Sequence, residues 1–154
     1  MATNVAKTLG PDRRRMYDVL KEWWGDDRYV FVSATVKNPA AATLAAGGLV
    51  PGMPVKLVAT QWTILLSGDE ANVKGIYLGN DLVAIPEALA QNAITQQSYR
   101  ILVRGPAVIN KDATPTTDPN GANYDWSALS TALAALNPPI MTQAGPLNTN
   151  IQNT

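Results

Sequence analysis

Two pairs of neighbouring carboxylates, Asp26–Asp27 and Asp69–Glu70, come nearest to a catalytic set in this chain. A glycosidase uses two carboxyls about 5–10 Å apart across a cleft, one giving a proton and the other attacking or activating water. Neighbours in sequence on turns do not meet that spacing, so both pairs read as solvated turn residues. Asp118, Asn120, Asn123 and Asp125 place oxygen side chains close together, as a calcium loop would. An EF-hand loop, however, needs Gly at its sixth position and Glu at its twelfth. Here Gly121 stands fourth and no Glu follows, so a surface loop ending in a helix cap is the simpler reading. The glycines at 47–48 and 75–79 are followed by no Gly-Lys-Ser/Thr and form no GxGxxG, which leaves them as turn glycines.

The residue types that are missing narrow the chemistry further. The chain has no Cys and no His. Thiol nucleophiles, disulfides and thiolate metal sites are excluded, and so is the Ser-His-Asp triad in its common form. The general base that titrates nearest neutral pH is absent as well. Carboxylate and lysine chemistry stay open, but the expectation is a protein that is not an enzyme and carries no cofactor or metal.

Binding chemistry concentrates near the N-terminus. Arg13-Arg14-Arg15 is a cationic cluster, and Trp23-Trp24 lies close to Tyr29 and Phe31. The arginines can face phosphates or acidic protein surface. Twelve basic and twelve acidic residues cancel, however, so no general field draws nucleic acid or anionic membrane. The aromatic cluster either holds a helix on a sheet or anchors a partner, since aromatic residues are enriched in interface hot spots. Arg13, Arg14, Arg15, Trp23, Trp24 and Tyr29 are therefore the candidate partner contacts.

The elements that must position these groups can be read from periodicity. Pro11 to Trp24 reads as an amphipathic helix: Met16, Val19, Leu20, Trp23 and Trp24 fall on one face, with Pro11 in the first turn and Gly25 past the end. Tyr29–Lys37 alternates as a strand. Residues 55–60 and 62–66 read as two strands around Gln61, and 73–78 as another, with Gly79-Asn80-Asp81 reversing into 82–85. Residues 87–97 are helix or loop. In YRILVRGPAVINKDA, Tyr99 to Ala113, two β-branched arms flank Gly105-Pro106, where a bend or bulge is forced because Pro106 cannot donate to a ladder. Asp125 caps a helix from Trp126 to Leu136, Asn137-Pro138-Pro139 stops it, and 140–143 adds a final edge strand.

Many short strands, frequent Gly and Pro and one or two helices place the chain in the α+β class, mainly β. The expected organisation is an N-terminal arm and amphipathic helix over 1–28, a β-rich domain over 29–143 and a polar tail over 144–154. At 154 residues one core is expected. No internal repeat is present. No run approaches the ~20 apolar residues of a membrane span, and the N-terminus lacks the apolar core of a secretory signal. The chain is thus expected to be soluble and to begin near Met1. Charged residues make up 16% of the chain, against about 25% in typical domains. Such a surface suits a protein covered by partners, and zero net charge does little to keep copies apart.

Four segments give the chain a resemblance: LAAGGLVPGMPVKLV at Leu44–Val58, VKGIYLGND at Val73–Asp81, YRILVRGPAVINKDA at Tyr99–Ala113 and WSALSTALAALNPPIM at Trp126–Met141. Through them it resembles the head (capsid) decoration proteins of tailed bacteriophages, of the lambda type, over about residues 30–143. The resemblance implies a small, irregular, β-tulip-like domain. It further implies a homotrimer on the outer surface of the expanded capsid, at local three-fold positions, clamping neighbouring major capsid protein subunits. An N-terminal arm that adds to a capsid strand is implied too, although the helix and tryptophans read over 11–24 are more than a simple arm. No catalytic residues, nucleic acid or membrane enter that picture. The alternatives are another virion module (tail, baseplate or fibre) or a carbohydrate- or peptide-binding β module using Trp62 and Trp126.

Overall fold

The computed structural model describes residues 19–23, 30–39, 49–79 and 92–143. In chain order these form β1 (Leu20–Trp23), β2 (Phe31–Ala34), β3 (Val36–Lys37), β4 (Pro54–Val58), β5 (Gln61–Ile64), β6 (Gly75–Gly79), β7 (Tyr99–Leu102), β8 (Ala107–Asn110), helix α1 (Trp126–Ala134) and β9 (Ile140–Gln143). Short 3-10 turns at Glu70–Asn72 and Lys111–Ala113 complete the set. The chain is a β-rich α+β domain.

One sheet has the order β2-β7-β6-β4-β5-β3. Its outermost strands, β2 and β3, are separated by Thr35 alone, so the sheet closes on itself. The first half of this single run pairs antiparallel with β7, Phe31 to Leu102 and Ala34 to Tyr99. The second half pairs parallel with β5, Val36 to Trp62 and Lys37 to Thr63. The Gln61 side-chain amide donates to the Thr35 carbonyl at 3.0 Å across that seam. Closure removes the open edges that would otherwise recruit other chains.

Side-chain alternation along the ring separates two apolar cores. Val36, Val55, Ile64, Tyr77 and Ile101 point inward, joined by Leu49, Val50 and Met53. Phe31, Ile76, Leu78 and Leu102 point outward into a second core with Val19, Leu20, Ile109, Leu129, Leu133 and Ile140. β6 is buried on both faces, which is why its sequence is the unbroken run Gly-Ile-Tyr-Leu-Gly.

The second core is roofed by a three-stranded sheet, order β1-β8-β9. β8 and β9 run parallel, Ala107 beside Ile140 and Asn110 beside Gln143, so a crossover must join them. The loop after Lys111–Ala113 and α1 supply it. The Asp125 carboxylate accepts from the Ser127 and Ala128 amides at 3.0 and 3.1 Å, satisfying the free donors of the first helical turn. Leu129 and Leu133 bury the inner stripe of α1, and Thr142 on β9 donates to Ser130 on α1 at 2.8 Å. The helix, the strand at 140–143 and the break between them match the expectation.

The bend read at Gly105-Pro106 is a passage between sheets: β7 belongs to the barrel and β8 to the roof. The helix expected over 11–24 does not extend through its last turn. Leu20–Trp23 is strand β1, antiparallel to β8, with Leu20 opposite Ile109, Trp23 opposite Ala107 and a bulge between Leu20 and Glu22. Pairing there satisfies the outer edge of β8 while Leu20 still reaches the core, an advantage that local helical periodicity cannot register. β1 is thereby part of the β-rich body. The remainder of that helix and the elements read at 80–91 lie outside the described residues.

The β4–β5 hairpin turns at Ala59-Thr60, with Ala59 at φ 53°. An alanine in the left-handed region costs about 1 kcal/mol or more, because its Cβ crowds the following carbonyl. Ala59→Gly is therefore expected to stabilise the domain by about 0.5–1 kcal/mol, net of glycine's larger unfolded-state entropy. Urea unfolding of the two proteins checks this; an unchanged or lower midpoint would contradict it.

Candidate docking surface

The acidic residues considered for catalysis are engaged in holding loops. Glu70 is only 7% exposed, not solvated as its turn position suggested. One of its oxygens accepts from the Gly68 amide at 2.9 Å and the other from the Asp125 amide at 3.1 Å. Desolvation pushes the Glu70 carboxyl up, but the amides of Asp125, Glu70 itself and Gly68 outweigh that and hold it below the usual glutamate range, against the opposing charge of Asp125. Asp69 is partly exposed and is likewise held low, first by Lys56 and then by Asn72, both bonded to its carboxylate.

Asp118 is 5% exposed and acts as a hub for three amides. One oxygen accepts from Asn120 and Ala122, both at 2.9 Å, and the other from Ser67 at 3.0 Å. The oxygen-rich loop thus folds around its own backbone and ties itself to the turn after β5. No cluster of three or more metal-ligating side chains occurs among the described residues. Between these anchors Tyr124 is buried and donates to the Leu65 carbonyl at 2.7 Å. Burial, then the charges of Asp118 and Glu70, push its phenol well above the ordinary tyrosine range, so it stays a neutral donor.

The tryptophans proposed for a sugar platform are packed into the body. Trp126 is buried, lies edge-on to Tyr124 and donates its indole N–H to the Pro115 carbonyl at 3.0 Å. Trp62 packs against the barrel core. Of the candidate partner contacts, Trp23 ends β1, with its backbone opposite Ala107. Arg13, Arg14, Arg15, Trp24 and Tyr29 lie outside the described residues. Phe31, the fourth member of the aromatic cluster, faces the second core, with the Arg100 guanidinium 5.2 Å from its ring centre.

A surface that sequence reasoning missed lies on the outside of the barrel at β4, β5 and β3. Val58 and Ile94 are about half exposed there, at 51% and 49%, while Leu57, 47% exposed, shares its side of β4 with inward-facing Val55. Val58 and Ile94 line a groove of about 450 Å³ together with Lys37, Lys56, Gln61 and Thr63. Ile94 is held there by a bridge to Lys37, with Thr95 and Asn38 exchanging amide bonds with Val36 and Ala93 at 2.9 Å. The available signal was the pair Leu57-Val58: adjacent apolar residues on a strand cannot both face one core. Among the described residues no helix is long and apolar enough to cross a membrane.

In comparison with known proteins, no family model, no curated protein and no solved structure matches this chain.

Proposed function

We propose that this chain is a capsid decoration protein. It binds the outside of an expanded phage head as a homotrimer at local three-fold positions and clamps adjacent major capsid protein subunits. The observation that carries the reading is a division of labour among the side chains. The buried carboxylates and the buried phenol are spent on pinning loops to a closed barrel, while the half-exposed Val58 and Ile94 stand side by side with lysines on its outer wall. A rigid body that offers apolar surface suits contact with protein better than turnover of a substrate. The resemblance supports it as well, since its four segments supply β4, β6, the β7-to-β8 passage and the α1–β9 unit.

The mechanism is linkage. A protein that binds only the mature lattice adds its binding free energy to lattice stability, about 2.7 kcal/mol per site at a hundredfold excess over Kd. A trimer touching several subunits gains further through effective concentration. Purified protein mixed with expanded empty capsids of the parent phage is expected to co-sediment saturably and to raise the temperature at which the shells come apart. Absence of co-sedimentation across salt and pH, or equal heat resistance of bare and decorated shells, would overturn the reading.

A further inference from the structure

We propose that the groove on the outer face of β4, β5 and β3 receives an acidic, partly apolar segment of a protein partner. The inference rests on the reading of this chain as a shell-binding protein and names the face that binds.

The argument begins with register. Thr63 on β5 has two Cα partners, Lys37 on β3 and Lys56 on β4. Adjacent strands stand about 4.8 Å apart, so the two lysine backbones lie roughly 10 Å from one another with a short side chain between them. Thr63, 5% exposed, is the floor, and the lysines are the walls. The row continues to Ile94 beside Lys37, while Val58 stands two residues along β4 from Lys56, opposite Gln61.

The charges of the walls differ. Lys56 is bonded to Asp69. No carboxylate of the described residues lies within ion-pair distance of Lys37. Among the described residues the groove therefore offers one neutralised cation and one without a carboxylate partner, flanked by apolar surface on both sides. An occupant that complements all of it brings a carboxylate to Lys37 and apolar side chains to Val58 and Ile94. A phosphate backbone fits less well, because nucleic-acid grooves array many cations along the strand and leave little use for apolar walls. In a protein segment the apolar contact supplies affinity, and the carboxylate fixes register and speeds encounter.

The test uses the full-length chain and expanded empty capsids of the parent phage as the probe. The double variant Val58→Ser/Ile94→Ser alters side chains that are about half exposed and Lys37→Glu one that is partly buried in the groove wall, so each variant is compared only with its thermal midpoint near wild type. Each is expected to weaken capsid binding by roughly tenfold or more. Lys74→Glu, the same charge change on an exposed lysine before β6, should bind as wild type does. Polyaspartate should displace the wild-type protein, and a DNA duplex of matching charge should not. If wild-type protein binds and the groove variants bind equally well, this face is not the docking surface and the decoration reading stands. Displacement by DNA but not by polyaspartate would assign the groove to phosphates and overturn the inference. If wild-type protein fails to bind, the inference falls together with the reading on which it rests.

Discussion

Gly105→Ala is expected to be among the most damaging single substitutions in this domain, costing about 3 kcal/mol or more and lowering the yield of folded protein. The reason is backbone against backbone. A Cβ at this position would overlap the carbonyl oxygen of Pro139 and stand 2.7 Å from the Ala107 nitrogen. Neither neighbour is the free end of a side chain that could swing aside. The Gly105 amide also donates to the Pro138 carbonyl at 2.9 Å, fastening the passage from barrel to roof onto the turn between α1 and β9. Moving one strand to relieve the overlap would break that bond and shift β8, against which both β1 and β9 are registered. Gly121→Ala is the informative comparison. Its φ of 86° is unfavourable for alanine, but its Cβ would meet nothing within 4 Å, so the expected cost is nearer 1 kcal/mol. Chemical unfolding of the two variants beside wild type distinguishes overlap from dihedral strain. A Gly105→Ala protein as stable as Gly121→Ala would show that the passage can yield.

The contrast between these glycines marks what local sequence can carry. Asp125 before an apolar three-and-four pattern, with two prolines behind it, is a local signal, and α1 begins where that signal says. Val55 to Leu66 likewise announces a hairpin, because two apolar runs flank a short polar centre. The Gly-Pro step inside 99–113 marked a break, but its outcome depends on partners far away in sequence: β7 finds β2 and β6, and β8 finds β1 and β9. Leu20–Trp23 is ambiguous for the same reason. Its spacing satisfies a helix face as well as a bulged strand, and only the outer edge of β8 decides between them. The run 31–37 shows plain alternation, yet nothing in it reveals that its two halves close a ring by pairing with different strands. Candidate site residues follow the same division. Arginine and tryptophan clusters are conspicuous in a sequence. The groove is built by register across β4, β5 and β3, and becomes visible only when Thr63 is seen between two lysines.

Glu70 shows how a turn residue that looks solvated can decide stability, and its removal has the second large effect expected. Glu70→Ala would remove both charge-assisted bonds that the buried carboxylate accepts from the Gly68 and Asp125 amides, at a cost of about 2–3 kcal/mol. It would also loosen the junction between the turn after β5 and the start of α1, since the Asp125 backbone is held by Glu70 while its side chain caps the helix. The charge of the carboxylate matters too, and pH isolates it. The folded protein holds the Glu70 carboxyl below its ordinary value of 4.5, and holds Asp69 below 3.8. A depressed acid binds fewer protons in the folded than in the unfolded state. Its contribution is therefore complete above the unfolded value and is lost as pH falls through the folded one. Wild-type stability should accordingly be steady from neutral pH to about 5 as far as these two groups are concerned, and should decline below about 4.5 as Glu70 and Asp69 become protonated. Glu70→Gln keeps the shape but not the charge. Its deficit relative to wild type should be greatest near pH 7 and should shrink as the pH is lowered towards 3, because the wild-type protein loses there what the variant never had. Urea unfolding of both proteins at several pH values gives the curve. A deficit that stays constant across that range would mean that the two backbone amides discriminate shape alone, and that the charge on Glu70 does nothing for the fold.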